Sequence, residues 1–79
     1  MSTLYVGGLP MSADADSLRG LFEQYASVES VRVVGGDGDG PHRGFGYVTF
    51  GDPEEARTAA TTLDGAALDT SRLRVALAI

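Results

Sequence analysis

The 79-residue sequence predicts an α+β fold: a four-stranded antiparallel sheet with two helices on one face. Three observations carry this expectation. Two segments repeat apolar residues at helical spacing, four are β-branched, aromatic or alternating, and they follow one another as strand–helix–strand–strand–helix–strand.

The first strand is Thr3 to Gly7, stopped by Gly7-Gly8-Leu9-Pro10. Leu18, Leu21, Phe22 and Tyr25 then recur at i, i+3, i+4 and i+7, an apolar stripe predicted to face the core. Asp14 is the expected N-cap, with Ser12 competing and Asp16 adding charge to the first turn. Val28 to Val34 reads as the second strand and Gly35 to Pro41 as a loop that no ladder can hold. Arg43 to Phe50, dense in aromatics, is the third strand and pairs with the second as a hairpin. Asp52-Pro53-Glu54-Glu55 opens the second helix: a capping carboxylate, a proline where no amide is needed, and acids at the positive dipole end. Ala56, Ala59, Ala60 and Leu63 form its buried stripe, and Gly65 supplies a left-handed exit. Arg72 to Ala78 alternates as the last strand. This order is that of the ferredoxin-like βαββαβ sandwich. Its right-handed crossovers set the first and third strands side by side at the centre and leave one sheet face open to water.

Composition narrows the function classes. Six arginines, no lysine and eleven acids give a net charge of −5, which counts against a general electrostatic nucleic-acid binder. The absence of cysteine removes disulfides, zinc–thiolate clusters and thiol nucleophiles. The apolar runs are too short for a membrane span and no leader opens the chain, so the expectation is one domain over 1–79 with cytoplasm as the default compartment.

Strand parity carries the functional argument. On the third strand Gly44, Gly46, Val48 and Phe50 share one side, suited to contact with helices. Arg43, Phe45, Tyr47 and Thr49 share the other. Sending Leu4 and Val6 of the first strand to the core sends Tyr5 to that same open side. Burying an aromatic ring would gain about 1.5–3 kcal/mol, so three rings facing water on adjacent strands require a reason. A nucleobase supplies one: stacking on an aromatic ring is worth ~1–3 kcal/mol, and a guanidinium alongside pairs with phosphate.

Leu4-Tyr5-Val6-Gly7-Gly8-Leu9 and Arg43-Gly44-Phe45-Gly46-Tyr47-Val48-Thr49-Phe50 resemble the hexapeptide and octapeptide signatures of the RNA-recognition motif family. The resemblance extends over the helix stripe Leu18…Leu21-Phe22, the Asp52…Ala56 entry, Leu63-Asp64-Gly65 and Leu73-Arg74-Val75. In size it is similar to stand-alone bacterial single-motif proteins. It implies that Tyr5 and Tyr47 each stack on a base, that Phe45 lies against sugars and that Arg43 holds a phosphate. It also gives Arg32 and Arg74 the parity of positions facing RNA. The implied ligand is single-stranded RNA, with single-stranded DNA as the alternative. No cofactor and no membrane contact are implied. The sequence departs from the family at Asp37, Asp39 and Pro41, in a hairpin loop where similar family members carry arginine or lysine. It departs again at Ala76, where asparagine is frequent, and at Ala26, where glycine is usual.

Other readings are thinner. Asp37-Gly38-Asp39-Gly40 lacks the further oxygen ligands of a calcium loop, and His42 has no second imidazole or cysteine for a metal. No nucleophile–base pair is apparent. A hydrolase on the same scaffold that relies on asparagine is opposed by a sequence with no asparagine, so no enzyme is expected. The rival is an interaction module whose aromatics dock a protein or a second copy. A monomer is the expectation, with Leu77 and Ile79 as the apolar surface for a weak dimer.

Overall fold

The computed structural model describes residues 2–35, 42–68 and 71–78, without the side chains of residues 42 and 43. Its elements are β1 (Ser2–Gly7), α1 (Ala15–Glu23), β2 (Val28–Gly35), β3 (His42–Phe50), α2 (Pro53–Leu63), β4 (Ala67–Leu68), β5 (Ser71–Arg72) and β6 (Arg74–Leu77). The main sheet has the order β2-β3-β1-β6, with every pairing antiparallel. This is the βαββαβ sandwich read from the sequence, with β1 and β3 central as expected. The calcium-loop reading and the loop residues Asp37, Asp39 and Pro41 lie outside the described residues, as does Ile79.

Pleating sorts each strand. Leu4, Val6, Val48 and Phe50 are fully buried, and Val75 nearly so, beneath Leu18 and Phe22 of α1 and Ala56, Ala59 and Leu63 of α2. The Phe22 and Phe50 rings meet at 5.9 Å. Alanines on the inner stripe of α2 let that helix approach β1, β3 and β6 closely. Asp52 caps α2 through the Glu54 amide at 2.9 Å. At the exit of α2, Asp64 accepts the Val75 amide at 3.0 Å, tying the helix to the edge strand. Glu55 accepts the Ser27 amide at 2.8 Å and so holds the α1–β2 connection against α2.

Three expectations are corrected. Tyr25 is not core: α1 ends at Glu23, and both Tyr25 and Ala26 donate to the Phe22 carbonyl in a tightened last turn. That turn rotates Tyr25 out of the stripe and leaves it 42% exposed. Leu21, on the flank of the stripe, is half-buried.

The last strand is also not continuous from Arg72. Register with β1 runs out at Gly7↔Arg74, where Gly8 turns away at φ 73° and leaves no room for a Cβ against the Arg72 carbonyl. Leu73 instead exchanges hydrogen bonds of 2.8 Å with Gly65 and Ala66, and Ser71–Arg72 pairs with Ala67–Leu68 in a separate hairpin.

The glycines of β3 serve the sheet rather than helix contact. A Cβ on Gly46 would strike the Arg32 carbonyl and come within 3.1 Å of the Val33 α-carbon, both on β2. Gly44 adopts φ 87°, a conformation strained for any side chain.

Asp14, not Ser12, caps α1. Hydrogen bonds from the Ser17 amide at 2.8 Å and the Ser17 hydroxyl at 3.0 Å stabilise its carboxylate and lower its pKa. A carboxyl whose pKa falls on folding contributes stability above its unfolded pKa, and that contribution is lost as pH falls through the folded value. Asp14→Asn keeps a capping oxygen but cannot titrate. The thermal-midpoint gap between wild type and this variant should therefore shrink on acidification below about pH 5; a gap independent of pH would contradict the assignment. Gly46→Ala should lower unfolding stability in urea by about 1–3 kcal/mol, because the obstructing atoms belong to backbone. An unchanged urea midpoint would show that β2 yields freely.

Candidate nucleic-acid interface

The open face can be laid out from the strand registers. One row runs Ser30, Thr49, Thr3 across β2, β3 and β1. The next runs Arg32, Tyr47, Tyr5, Ala76 across all four strands, and a third runs Phe45, Gly7, Arg74 across β3, β1 and β6. Every residue in these rows has the parity opposite to the buried set, as the alternation of a strand requires.

Tyr5, Phe45 and Tyr47 form a triangle with ring centroids 5.9 Å, 6.1 Å and 6.3 Å apart. The Tyr5 and Phe45 rings are tilted by 31°, whereas Tyr47 stands at 68° and 88° to the other two. The rings half-bury one another and leave their outer surfaces accessible. Mutual edge contact of this kind stabilises the cluster and fixes ring directions before any ligand arrives.

Sequence reasoning missed the residue that sets the pose of Tyr5. A Cβ on Gly7 would strike the Tyr5 hydroxyl and lie 2.9 Å from two ring carbons, so the ring reclines along its own strand over Gly7. Gly7 is buried although it has open-face parity, because the ring covers it. The signal was available: in a strand, an aromatic two residues before a glycine shares a face with the space that glycine leaves.

The net charge is unevenly placed. Asp14, Asp16 and Glu23 lie at or on α1, and Asp52, Glu54, Glu55 and Asp64 at or on α2, while Glu29 reaches Gly51 at the end of β3. No acid occurs in the three open-face rows. Arg19 is paired with Glu23 at 3.2 Å, Arg57 with Glu54 at 3.4 Å, and Arg72 donates to the Gly65 carbonyl at 3.1 Å. Arg32 and Arg74 sit in the ring rows, exposed, and make no ion pair or side-chain hydrogen bond among the described residues. Among the described residues, the acids gather away from this face and its cations stand beside the rings. Arg43 belongs to β3, and the expectation that its side chain joins this face lies outside the described residues. Among the described residues, no group of three or more His, Cys, Asp or Glu side chains is placed to hold a metal, and no helix is long and apolar enough to cross a membrane.

The chain is 41% identical over 75 residues to the chloroplastic 28 kDa ribonucleoprotein of Spinacia oleracea, covering 95% of this chain and 32% of that protein. It is 45% identical over 64 residues to the mitochondrial glycine-rich RNA-binding protein 3 of Arabidopsis thaliana, covering 81% of this chain and 21% of that one. The chain thus spans a third or less of these relatives. Their organellar names overturn the cytoplasmic expectation, which rested only on missing signals and on no positive feature of the sequence. Being plant proteins, they also lend no support to the narrower bacterial likeness. Among solved structures, RNA binding protein PG1 superposes with a TM-score of 0.92 at 34% identity, covering 100% of this chain and 95% of that one. The model of the RNA recognition motif matches residues 4–74, spanning both signatures and every strand that carries the ring triangle, and the chain belongs to that family.

Proposed function

We propose that the chain acts as one RNA-recognition-motif unit that binds single-stranded RNA on the open face of its sheet and catalyses nothing. The observation that carries this reading is the triangle of Tyr5, Phe45 and Tyr47, three rings within 6.3 Å of one another on the two central strands. Tyr5 and Tyr47 each offer a face to one base, and stacking contributes ~1–3 kcal/mol per base. Phe45, in the row it shares with Gly7 and Arg74, packs against ribose. Arg43 and Arg74 flank the rings and take backbone phosphates, and Arg32 takes the strand out over β2. The ribonucleoprotein and RNA-binding names of the similar proteins agree with this reading. The chain is proposed to bind as a monomer. Single-stranded DNA, which presents the same π-faces without the 2′-hydroxyl, is the natural competitor in a binding assay.

Replacing Phe45 and Tyr47 together by alanine should reduce affinity for a short single-stranded RNA at least about tenfold, as loss of one or two stacking contacts requires. Far-UV circular dichroism should stay unchanged, because neither ring enters the core. Undiminished binding by a folded double variant would reject the sheet face as the site. Salt dependence provides an independent check. Two or three phosphate contacts give a slope of log K against log salt of roughly −1.4 to −2.1, and a slope several times steeper would place binding on charges elsewhere.

A further inference from the structure

Beside the rings, toward the start of β1 and the end of β3, the open face dips into a shallow groove of about 500 Å³ lined by Thr3, Ser30, Arg32, Tyr47, Thr49 and Ala78. Neither stacking on Tyr5 and Tyr47 nor the phosphate contacts of Arg43 and Arg74 occupies it. Its chemistry differs from that of the triangle: three hydroxyls and a guanidinium surround one edge of a ring. Thr3 and Thr49 are direct partners across the β1–β3 pairing, and their hydroxyls share a hydrogen bond of 3.1 Å. That bond consumes one of their two hydrogens and leaves further lone pairs to accept from a ligand. Ser30 lies opposite Thr49 and Arg32 opposite Tyr47, so both project over the same groove from the edge strand. Arg32 is exposed and unpaired among the described residues, and its five N–H donors are available.

We infer that this groove is a base-reading subsite that prefers guanine to adenine, with Arg32 as the discriminating residue. The inference rests on the RNA-platform reading. The planar guanidinium presents two parallel N–H donors, and guanine answers with the adjacent acceptors O6 and N7. Adenine sets an N6 amino donor beside N7, so one arm of the fork meets a donor instead of an acceptor. The hydroxyl oxygens of Ser30 and of the Thr3–Thr49 pair supply acceptors for the N1–H and N2 amino groups on guanine's other edge. Tyr47 joins the two functions. Its ring face takes one base of the strand while its edge borders the groove for the neighbouring base, so the subsite is one nucleotide away from the stacking platform.

The test uses the full 79-residue chain and fluorescence anisotropy with short uridine oligonucleotides in which a single guanosine or adenosine is moved along the strand. At one position guanosine should bind roughly fivefold or more tightly than adenosine. That preference should fall below about twofold in Arg32→Gln, and Arg32→Lys should not restore it, because an ammonium keeps the charge but has no fork. A wild-type chain that binds the uridine strands but ignores the guanosine–adenosine exchange at every position would overturn the subsite alone. So would a preference that survives in Arg32→Gln. A folded wild-type chain that binds none of the oligonucleotides would overturn the platform reading and the subsite with it.

Discussion

The antiparallel register of β1 on β3, with Tyr5 directly opposite Tyr47, is the constraint on which the rest of the site depends. Because side chains alternate with a period of two, a slip of one residue would send Leu4 and Val6 outward and Tyr5 into the core. The fully buried Leu4, Val6, Val48 and Phe50 therefore fix the aromatic face as firmly as any contact within it. The hydrophobic core and the candidate binding surface are two sides of one pleat. The register also brings Arg32 beside Tyr47 on β2 and Arg74 beside Gly7 on β6, so cations flank the rings at both edges.

The same division organises charge. The acids act as caps and struts on the helical side: Asp14 and Asp52 begin the helices, while Glu55 and Asp64 hold neighbouring backbone amides. Among the described residues, Arg19 and Arg57 on that side are paired, whereas Arg32 and Arg74 on the sheet face are not. A chain that is acidic overall can in this way keep a locally basic, aromatic surface. Binding there would draw on stacking and directed hydrogen bonds more than on counterion release.

Most of this arrangement was legible in the sequence, and the exceptions have physical causes. Strand parity alone assigned Tyr5, Phe45 and Tyr47 to one face, because burial of Leu4 and Val48 leaves no other choice. Both helix starts were readable from Asp14 and from Asp52-Pro53, where capping chemistry is local. The end of α1 was not: the spacing of Tyr25 fits a helical stripe, but periodicity carries no information about a tightened last turn. The break at Leu73 depends on where β1 runs out of register, a long-range fact that alternation within one segment does not contain. Gly46 was legible as a place needing a small residue, yet which neighbour demands it, the β2 backbone rather than a helix, emerges only from the paired strands. The polar groove went unnoticed because Thr3, Ser30 and Thr49 are unremarkable singly and meaningful only once three strands lie side by side.

The most direct measurement is chemical-shift mapping of the isotopically labelled chain titrated with a short single-stranded RNA, following aromatic and backbone resonances together. The account predicts that the ring signals of Tyr5, Phe45 and Tyr47 and the amides of β1 and β3 move in concert, while those of α1 and α2 stay in place. Saturable shifts confined to the helices, with the three rings unmoved, would contradict it.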